Sequence, residues 1–579
     1  MLKKLASYLG EYRKYAILTP LLVILEVICE LALPRFMANI VNVGIAGDDL
    51  PYILKMGGIM LVLALCSMLC GMFAAKFAAI GGQGFGANLR RGIYNKVQEF
   101  SFSDIDRFSS ASLITRITND VNAIQMMVTM GLRMLTRSPV MLIAALFVAM
   151  SINARLALVL LVVIPLMALA VGLLMKICNR LFDQMQRKID ALNNTVQENL
   201  VAIRVVKAFV RAGYEKTKFK KSNDELTQAT LTVDLRIILM MPIMTIALNA
   251  ATAAVLYLGG TQVMGGSMLI GDLSSFITYI FQILMSVMMV AMSLLQLSRS
   301  IACARRIDEV LETRPSIQER PRTEPISLPA PRGQVEFDHV HFKYQAAGTG
   351  DDVLEDIHFT VAPGEFVAIV GGTGTGKSSL VNLIPRFYDV TGGAVRVDGV
   401  DVRDYPLDVL RARIGMVLQN NVLFSGTVRE NLLWGRPDAT EEEMIQAAKN
   451  AQAYDFIMGL PEGFDTWLDQ GGVNVSGGQK QRLCIARAML RHPAILILDD
   501  STSAVDSATE SAIRQSFSDN LAGTTVIIIA QRISSVQYAD RILVLDDGRV
   551  ADTGTHDELM ARSAIYQEIY QSQQEGVQQ

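Results

Sequence analysis

Before about residue 300 the chain carries six stretches, each able to cross a lipid bilayer as a helix, and this constrains the fold more than any other feature. Spanning the apolar core takes about 20 mostly apolar residues. Tyr15 to Met37, Gly57 to Ala79, Met134 to Ile152, Leu156 to Met175, Ile237 to Leu258 and Phe276 to Leu297 all meet that requirement. The whole chain is 51% hydrophobic with a mean hydropathy of +0.32. Six spans put both termini on one side, and basic residues choose the side. Arg90, Arg91, Lys96, Arg107 and Arg116 follow the second span; Lys188, Arg204, Lys207, Arg211, Lys216, Lys218, Lys220 and Lys221 follow the fourth. The loop after the first span has Asp48 and Asp49, and the one after the fifth has no base. The positive-inside rule then places the long loops and both termini in the cytoplasm. No cleavable leader is expected: Leu2, Leu5, Leu9 and Tyr12 beside Lys3, Lys4, Arg13 and Lys14 read as a short interfacial helix.

A net charge of −3 and a pI near 6.1 give no support for nucleic-acid binding. Cys29, Cys66, Cys70, Cys178, Cys303 and Cys484 show neither metal spacing nor a secreted disulfide framework, and read as packed thiols. Glu319 to Pro331 is a proline-rich connector that cannot continue a helix.

Beyond the connector the chemistry changes. Gly371-Gly372-Thr373-Gly374-Thr375-Gly376-Lys377-Ser378 fits the phosphate-binding loop G-x-x-x-x-G-K-[ST]. Its glycines let backbone N–H groups close around phosphates, Lys377 reaches the β/γ oxygens, and Ser378 ligates Mg²⁺. Glu365 to Val370 reads as the strand before it, and Ser379-Leu380-Val381 opens a helix after it, whose N-terminus adds partial positive charge. Ile495 to Leu498 is an apolar run ending in Asp499 and Asp500, so a buried strand delivers a Mg²⁺-associated acid and its neighbour. Val526 to Ala530 is a second such run, ending at Gln531. Val475-Ser476-Gly477-Gly478-Gln479 opens a helix through Leu490. On its own, Ser-Gly-Gly-Gln is an ordinary helix cap.

In this order, with Gln419 after Ile414 to Leu418 and with Ser503 to Asp506, the set resembles the ABC transporter family over essentially the whole chain. The resemblance implies a membrane all-α domain of six transmembrane helices with long cytoplasmic extensions. Fused to it would be an α/β P-loop ATPase domain with a helical signature subdomain. The expected divisions are 1–318 for the transmembrane domain, 319–334 for the linker and 335–579 for the ATP-binding cassette. It further implies that Tyr344 stacks on adenine and that Gln419 touches Mg²⁺. Asp506 would belong to the loop crossing the dimer interface. Ser476, Gly477, Gly478 and Gln479 would bind ATP held by the opposite subunit. Segments around Ser109–Arg116 and Arg204–Phe209 resemble the family's coupling helices, although by pattern alone they are amphipathic cytoplasmic helices.

Two positions depart from the family. Asp500 stands where a Glu usually polarises the attacking water, and Gln531 where a His usually contacts the γ-phosphate. A 1 Å displacement of a catalytic group can cost on the order of 100-fold in rate, so this site is expected to bind ATP and Mg²⁺ but hydrolyse ATP poorly. The chain most resembles the degenerate-site subunit of bacterial heterodimeric multidrug exporters. It lacks an internal repeat, so a second half-transporter is the expected partner, in the bacterial inner membrane, with small lipophilic compounds as substrates. The alternatives are a homodimeric lipid or peptide exporter with slow sites, and an ATP-gated regulator or channel that does not pump.

Glu26 and Glu30 share a face of the first span. Ionisable groups at membrane depth face a cavity or a partner, so these acids either contact cationic substrate or form a structural pair, with Arg35 as a candidate. Met285, Met288, Met289 and Met292 form a stripe in the sixth span, suited to ordinary helix packing or to an adaptable cavity.

Overall fold

The computed structural model describes residues 2–319, 328–344, 352–500, 506–521, 523–530 and 532–575. It divides into two compact units, Met1–Gln98 with Ala111–Thr313, and Glu99–Ser110 with Arg314–Gln579.

The first unit is helical. Among the described residues, six helical segments are long and apolar enough to cross a membrane: Gly10–Ile45, Leu50–Gln98, Ser110–Ile152, Ala154–Val201, Ala212–Met264 and Ile270–Ser293. The 49-residue second segment is about 74 Å long at 1.5 Å per residue, more than twice the ~30 Å apolar core. In the second and fourth segments span and extension are therefore one continuous helix. Asn153 separates the third span from the fourth: its backbone is extended, and its Oδ1 accepts from the N–H groups of Arg155 (3.1 Å) and Leu156 (3.2 Å). Phe276, Tyr279, Ile280 and Ile283 of the sixth helix are fully buried, and the Tyr279 hydroxyl donates to the Leu31 carbonyl at 2.6 Å. Close approach needs the small residues of the second span, since a Cβ on Gly84 would lie 2.4 Å from the Tyr12 ring.

The first expected cytoplasmic segment, around Ser109–Arg116, is helical from Ser110 to Thr115, preceded by a separate short helix, Phe102–Phe108. Ser101 and Asp104 form a capping box at its start, and Ser109, at φ 57°, ends it. From Ser110 onward the chain already belongs to the third span. The second segment is a separate helix, Ile203–Ala208.

In the second unit the strands are β1 (Val335–Phe342), β2 (Leu354–Val361), β3 (Phe366–Gly371), β4 (Gly392–Val397), β5 (Val400–Asp401) and β6 (Ile414–Val417). They continue with β7 (Gly426–Thr427), β8 (Trp467–Leu468), β9 (Ile495–Asp499), β10 (Thr525–Ile529), β11 (Arg541–Asp546) and β12 (Arg549–Gly554). A sheet ordered β12-β11-β3-β10-β9-β6 is parallel except at β12, and every residue of β9 and β10 is buried. Unbroken apolar strands are what a parallel sheet covered on both faces requires. An antiparallel sheet ordered β2-β1-β4-β5 packs its alternating apolar face, Val335, Phe337, Val340 and Phe342, into a second core. The helices Glu441–Asn450 and Gly477–Met489 bury Met444, Ala447, Ala448, Leu483 and Ile485 in the remaining cluster. The connector residues 320–327 lie outside the described residues.

Candidate nucleotide-binding site

The loop from β3 to the helix Lys377–Leu383 forms one wall of a cavity of about 630 Å³, a size in the range of small-molecule sites. Gly374 (φ 88°) and Gly376 (φ 91°) hold left-handed backbone, and a Cβ on Gly376 would lie 2.9 Å from the Val353 carbonyl oxygen. The Lys377 ammonium folds over the loop, donating to the carbonyls of Gly371 (2.9 Å) and Gly372 (2.5 Å). Burial pushes it below its usual range, against the pull of Asp499 and Asp500.

β9 brings Asp499 and Asp500 to the same cavity. Asp499 is 4% exposed, and its Oδ1 accepts from the Ser378 hydroxyl at 3.0 Å. Burial pushes this carboxyl above the usual range; the Ser378 hydrogen bond and Lys377 oppose that shift, and Asp500 adds to it. A desolvated carboxylate beside a hydroxyl is a donor pair suited to a hard cation such as Mg²⁺. Asp500 takes φ 48°, with its N–H donating to the Ile529 carbonyl at 3.0 Å, so the chain turns sharply as it leaves the strand. Gln419 and Thr373 also line the cavity. Tyr344 lines it too, with its hydroxyl 2.9 Å from Ser379 Oγ and its ring edge-on to Tyr388 at 5.1 Å.

Ser476, Gly477, Gly478 and Gln479 are not among the residues described as lining this cavity. They form a capping box, Gln479 N–H to Ser476 Oγ at 3.3 Å and Ser476 N–H to Gln479 Oε1 at 2.9 Å. Asp506 caps the helix Ser507–Asn520 through Thr509, and those hydrogen bonds hold its carboxyl below the usual range. Gln531 lies outside the described residues, as do residues 501–505. Ile569, Ser572 and Gln573, from the C-terminal helix Ala564–Glu575, also line the cavity, and Gln573 accepts from the Ile533 N–H at 2.8 Å. Their local sequence carries no nucleotide motif.

In the membrane unit Arg137 pairs with both Glu26 and Glu30, the latter at 2.6 Å. Arg35 is not their partner: it lies 3.9 Å from Asp272. Of the methionine stripe, Met289 and Met292 line a cavity of about 250 Å³ with Met127, Met130 and Met134, while Met288 packs against the core.

Comparison with known proteins identifies the family. Residues 16–287 match the family model for the ABC transporter transmembrane region and residues 354–503 that for the ABC transporter. The chain is 38% identical over 572 residues, 99% of its length and 98% of the relative's, to the "Uncharacterized ABC transporter ATP-binding protein YfiB" of Bacillus subtilis (strain 168). It is 35% identical over 506 residues, 87% of its length and 83% of the relative's, to the "ATP-dependent lipid A-core flippase" of Syntrophus aciditrophicus (strain SB). Its fold is similar to that of a bacterial Atm1-family ABC exporter solved with ATP bound, with TM-score 0.83, 26% identity, and coverage of 97% of this chain and 99% of that one. The chain belongs to the ABC transporter family, as a half-transporter of the exporter type. It is thus a multi-pass membrane protein whose transport is coupled to an ATPase domain, in a family that works as dimers and uses ATP with Mg²⁺.

Proposed function

We propose that this chain is the degenerate-site half of a heterodimeric exporter that moves lipophilic or drug-like compounds across the bacterial inner membrane, with both termini cytoplasmic. The observation that carries the reading is Asp500. It directly follows β9 and lines the cavity, where its carboxylate is one methylene short of the Glu the family uses. Gln531, at the family's His position in the sequence, is the second departure.

In this reading the glycine loop from Gly371 to Gly376, with Lys377 and Ser379, binds the phosphates of ATP, and Tyr344 takes the adenine. Ser378, Gln419 and Asp499 would hold Mg²⁺, which screens phosphate charge when bound. Ser476 to Gln479 would complete the partner's site instead of this one. The formation of their helix cap away from the chain's own cavity supports that division. Asp506, exposed at a helix start, would face the dimer interface. A role for Glu26 and Glu30 in selecting cations would have to operate with Arg137 paired to both.

Turnover of ATP by the purified chain, alone and with a co-expressed second half-transporter, tests this. Poor turnover alone and substrate-stimulated turnover in the complex are expected. Full stimulated turnover by the chain alone would establish the homodimeric alternative. Similarity to a lipid A-core flippase favours lipid as a second substrate class, and reconstituted complex given a fluorescent lipid or a drug-like dye separates the two.

A further inference from the structure

His339, His341 and His358 are three of the chain's five histidines, and all face away from the core of the β1–β2 pair. Two β-bulges place them there. Between the pairs Phe337↔Phe359 and Val340↔Ile357, Asp338 and His339 on β1 oppose His358 alone. Between Val340↔Ile357 and Phe342↔Leu354, Glu355 and Asp356 on β2 oppose His341 alone. In each bulge one residue with a side chain takes left-handed backbone, His339 at φ 47° and Asp356 at φ 51°. That conformation is unfavourable for L-residues and re-aims the side chain. The two residues meet: His339 Nδ1 lies 2.6 Å from Asp356 Oδ1. The His339 and His358 rings stack with centroids 4.8 Å apart and planes 17° from parallel.

We propose that Asp338, His339 and His358, the three residues of the first bulge, form a binding site for a divalent transition-metal ion of the zinc class. One ligand atom from each falls within 4.8 Å of the other two. Bonds of about 2.0–2.2 Å to one ion put tetrahedral ligand atoms roughly 3.4 Å apart. Small rotations of half-buried or exposed side chains close that difference. Two imidazoles and one carboxylate match zinc, copper or nickel better than magnesium or calcium. Asp356 engages Nδ1 of His339 and leaves Nε2 for the ion, the carboxylate–histidine arrangement that orients metal ligands. Asp338 gives one oxygen to Arg396 at 2.9 Å and keeps the other for the metal. Three ligands leave a fourth position for water.

The location gives the ion a structural consequence. β1 ends two residues before Tyr344, and Val353 precedes β2; both residues line the nucleotide cavity, and the Val353 N–H donates to the Phe342 carbonyl at 2.8 Å. A bound ion would clamp the strand pair that carries this wall.

The test uses untagged full-length protein in detergent, stripped with chelator and titrated with Zn²⁺ against a chromophoric competitor, without nucleotide and with excess Mg²⁺. One ion per chain is expected. His339→Ala and His358→Ala each weaken binding at least about tenfold, Asp356→Asn about tenfold through the loss of orientation, and His492→Asn leaves it unchanged. Binding of a fluorescent ATP analogue, retained in every variant, shows that the domain is folded. Co²⁺ in place of zinc gives a visible absorption band in the wild type that His339→Gln/His358→Gln abolishes. Absence of stoichiometric binding in the wild type overturns the proposal. So does Zn²⁺ affinity equal in the wild type and the double variant, which would place the ion at other groups.

Discussion

The Tyr388 hydroxyl donates a hydrogen bond to Asp106 Oδ2 across 2.8 Å, and the same ring stands edge-on to Tyr344 with centroids 5.1 Å apart. Phe102, on the same short helix as Asp106, stacks on Phe387 at 4.4 Å. The helix Phe102–Phe108 is thus linked through two aromatic residues to the wall of the nucleotide cavity. Burial first, and the bond to Asp106 second, push the Tyr388 hydroxyl well above its usual range, so it stays a donor at all working pH values.

Tyr388→Phe keeps the ring and removes the donor. A hydrogen bond of this kind is worth about 1 kcal/mol, a roughly fivefold effect. Transport by the assembled exporter should fall by about that factor, while affinity for a fluorescent ATP analogue stays unchanged. Equal loss of both would place Tyr388 in nucleotide binding itself.

Asp500→Asn should change transport by the assembled complex less than about tenfold, or ~1.4 kcal/mol of barrier. Neutralising the corresponding acid of the partner subunit should remove most of it. Gly478→Glu should stop turnover by the complex while nucleotide remains bound at Lys377. Vesicle transport and nucleotide-binding measurements on the three variants decide this, and comparable losses from the two acids would mean two working sites.

Arg137→Ala leaves the buried Glu26 and the half-buried Glu30 without their cation, and Glu26 Oε2 already lacks a hydrogen-bond partner. Breaking a buried pair from one side costs about 3–5 kcal/mol. Expression and thermal midpoint should drop, and adding Glu26→Gln and Glu30→Gln should restore them. The double Gln variant with Arg137 intact then asks about substrate: selective loss of a cationic dye over a neutral one would assign the acids to selection.

The His339–Asp356 pair makes stability depend on pH in both directions. The bond to Asp356 raises His339 above its usual range, so its contribution is full below the ordinary histidine value and lost as pH rises through the raised one. The same bond holds Asp356 below the usual carboxylate range, so its contribution is present above that range and lost as pH falls through the depressed value. With chelator present, the thermal midpoint of wild type should exceed that of Asp356→Asn most between about pH 4 and 6.5. The difference should shrink outside that window, and a pH-independent difference would mean the bulge is held by something other than this ion pair.

The membrane helices and the phosphate loop were legible because their signals are local. Twenty apolar residues in a row cannot be left in water, and glycine spacing before Lys377 sets backbone geometry within a few residues. The strands leading to Gly371 and to Asp499 were legible for the same reason, as runs that only a doubly covered sheet can bury. The helix Phe102–Phe108 was not legible because the helical pattern around Ser109–Arg116 runs on from it, and only the left-handed turn at Ser109 shows that one helix ends there and another begins.

By itself, then, the sequence determined the six spans, the phosphate loop, the two acids at the end of β9 and the capped Ser-Gly-Gly-Gln helix, since each is written in neighbouring residues. Tertiary structure alone decided that Arg137, over 100 positions away, holds Glu26 and Glu30, and that Ile569, Ser572 and Gln573 reach the nucleotide cavity. It also decided that two bulges turn Asp338, His339, His358 and Asp356 toward one another. These contacts depend on strand register and helix rotation, which packing fixes over the whole unit, and a shift of one residue would send each side chain to another face.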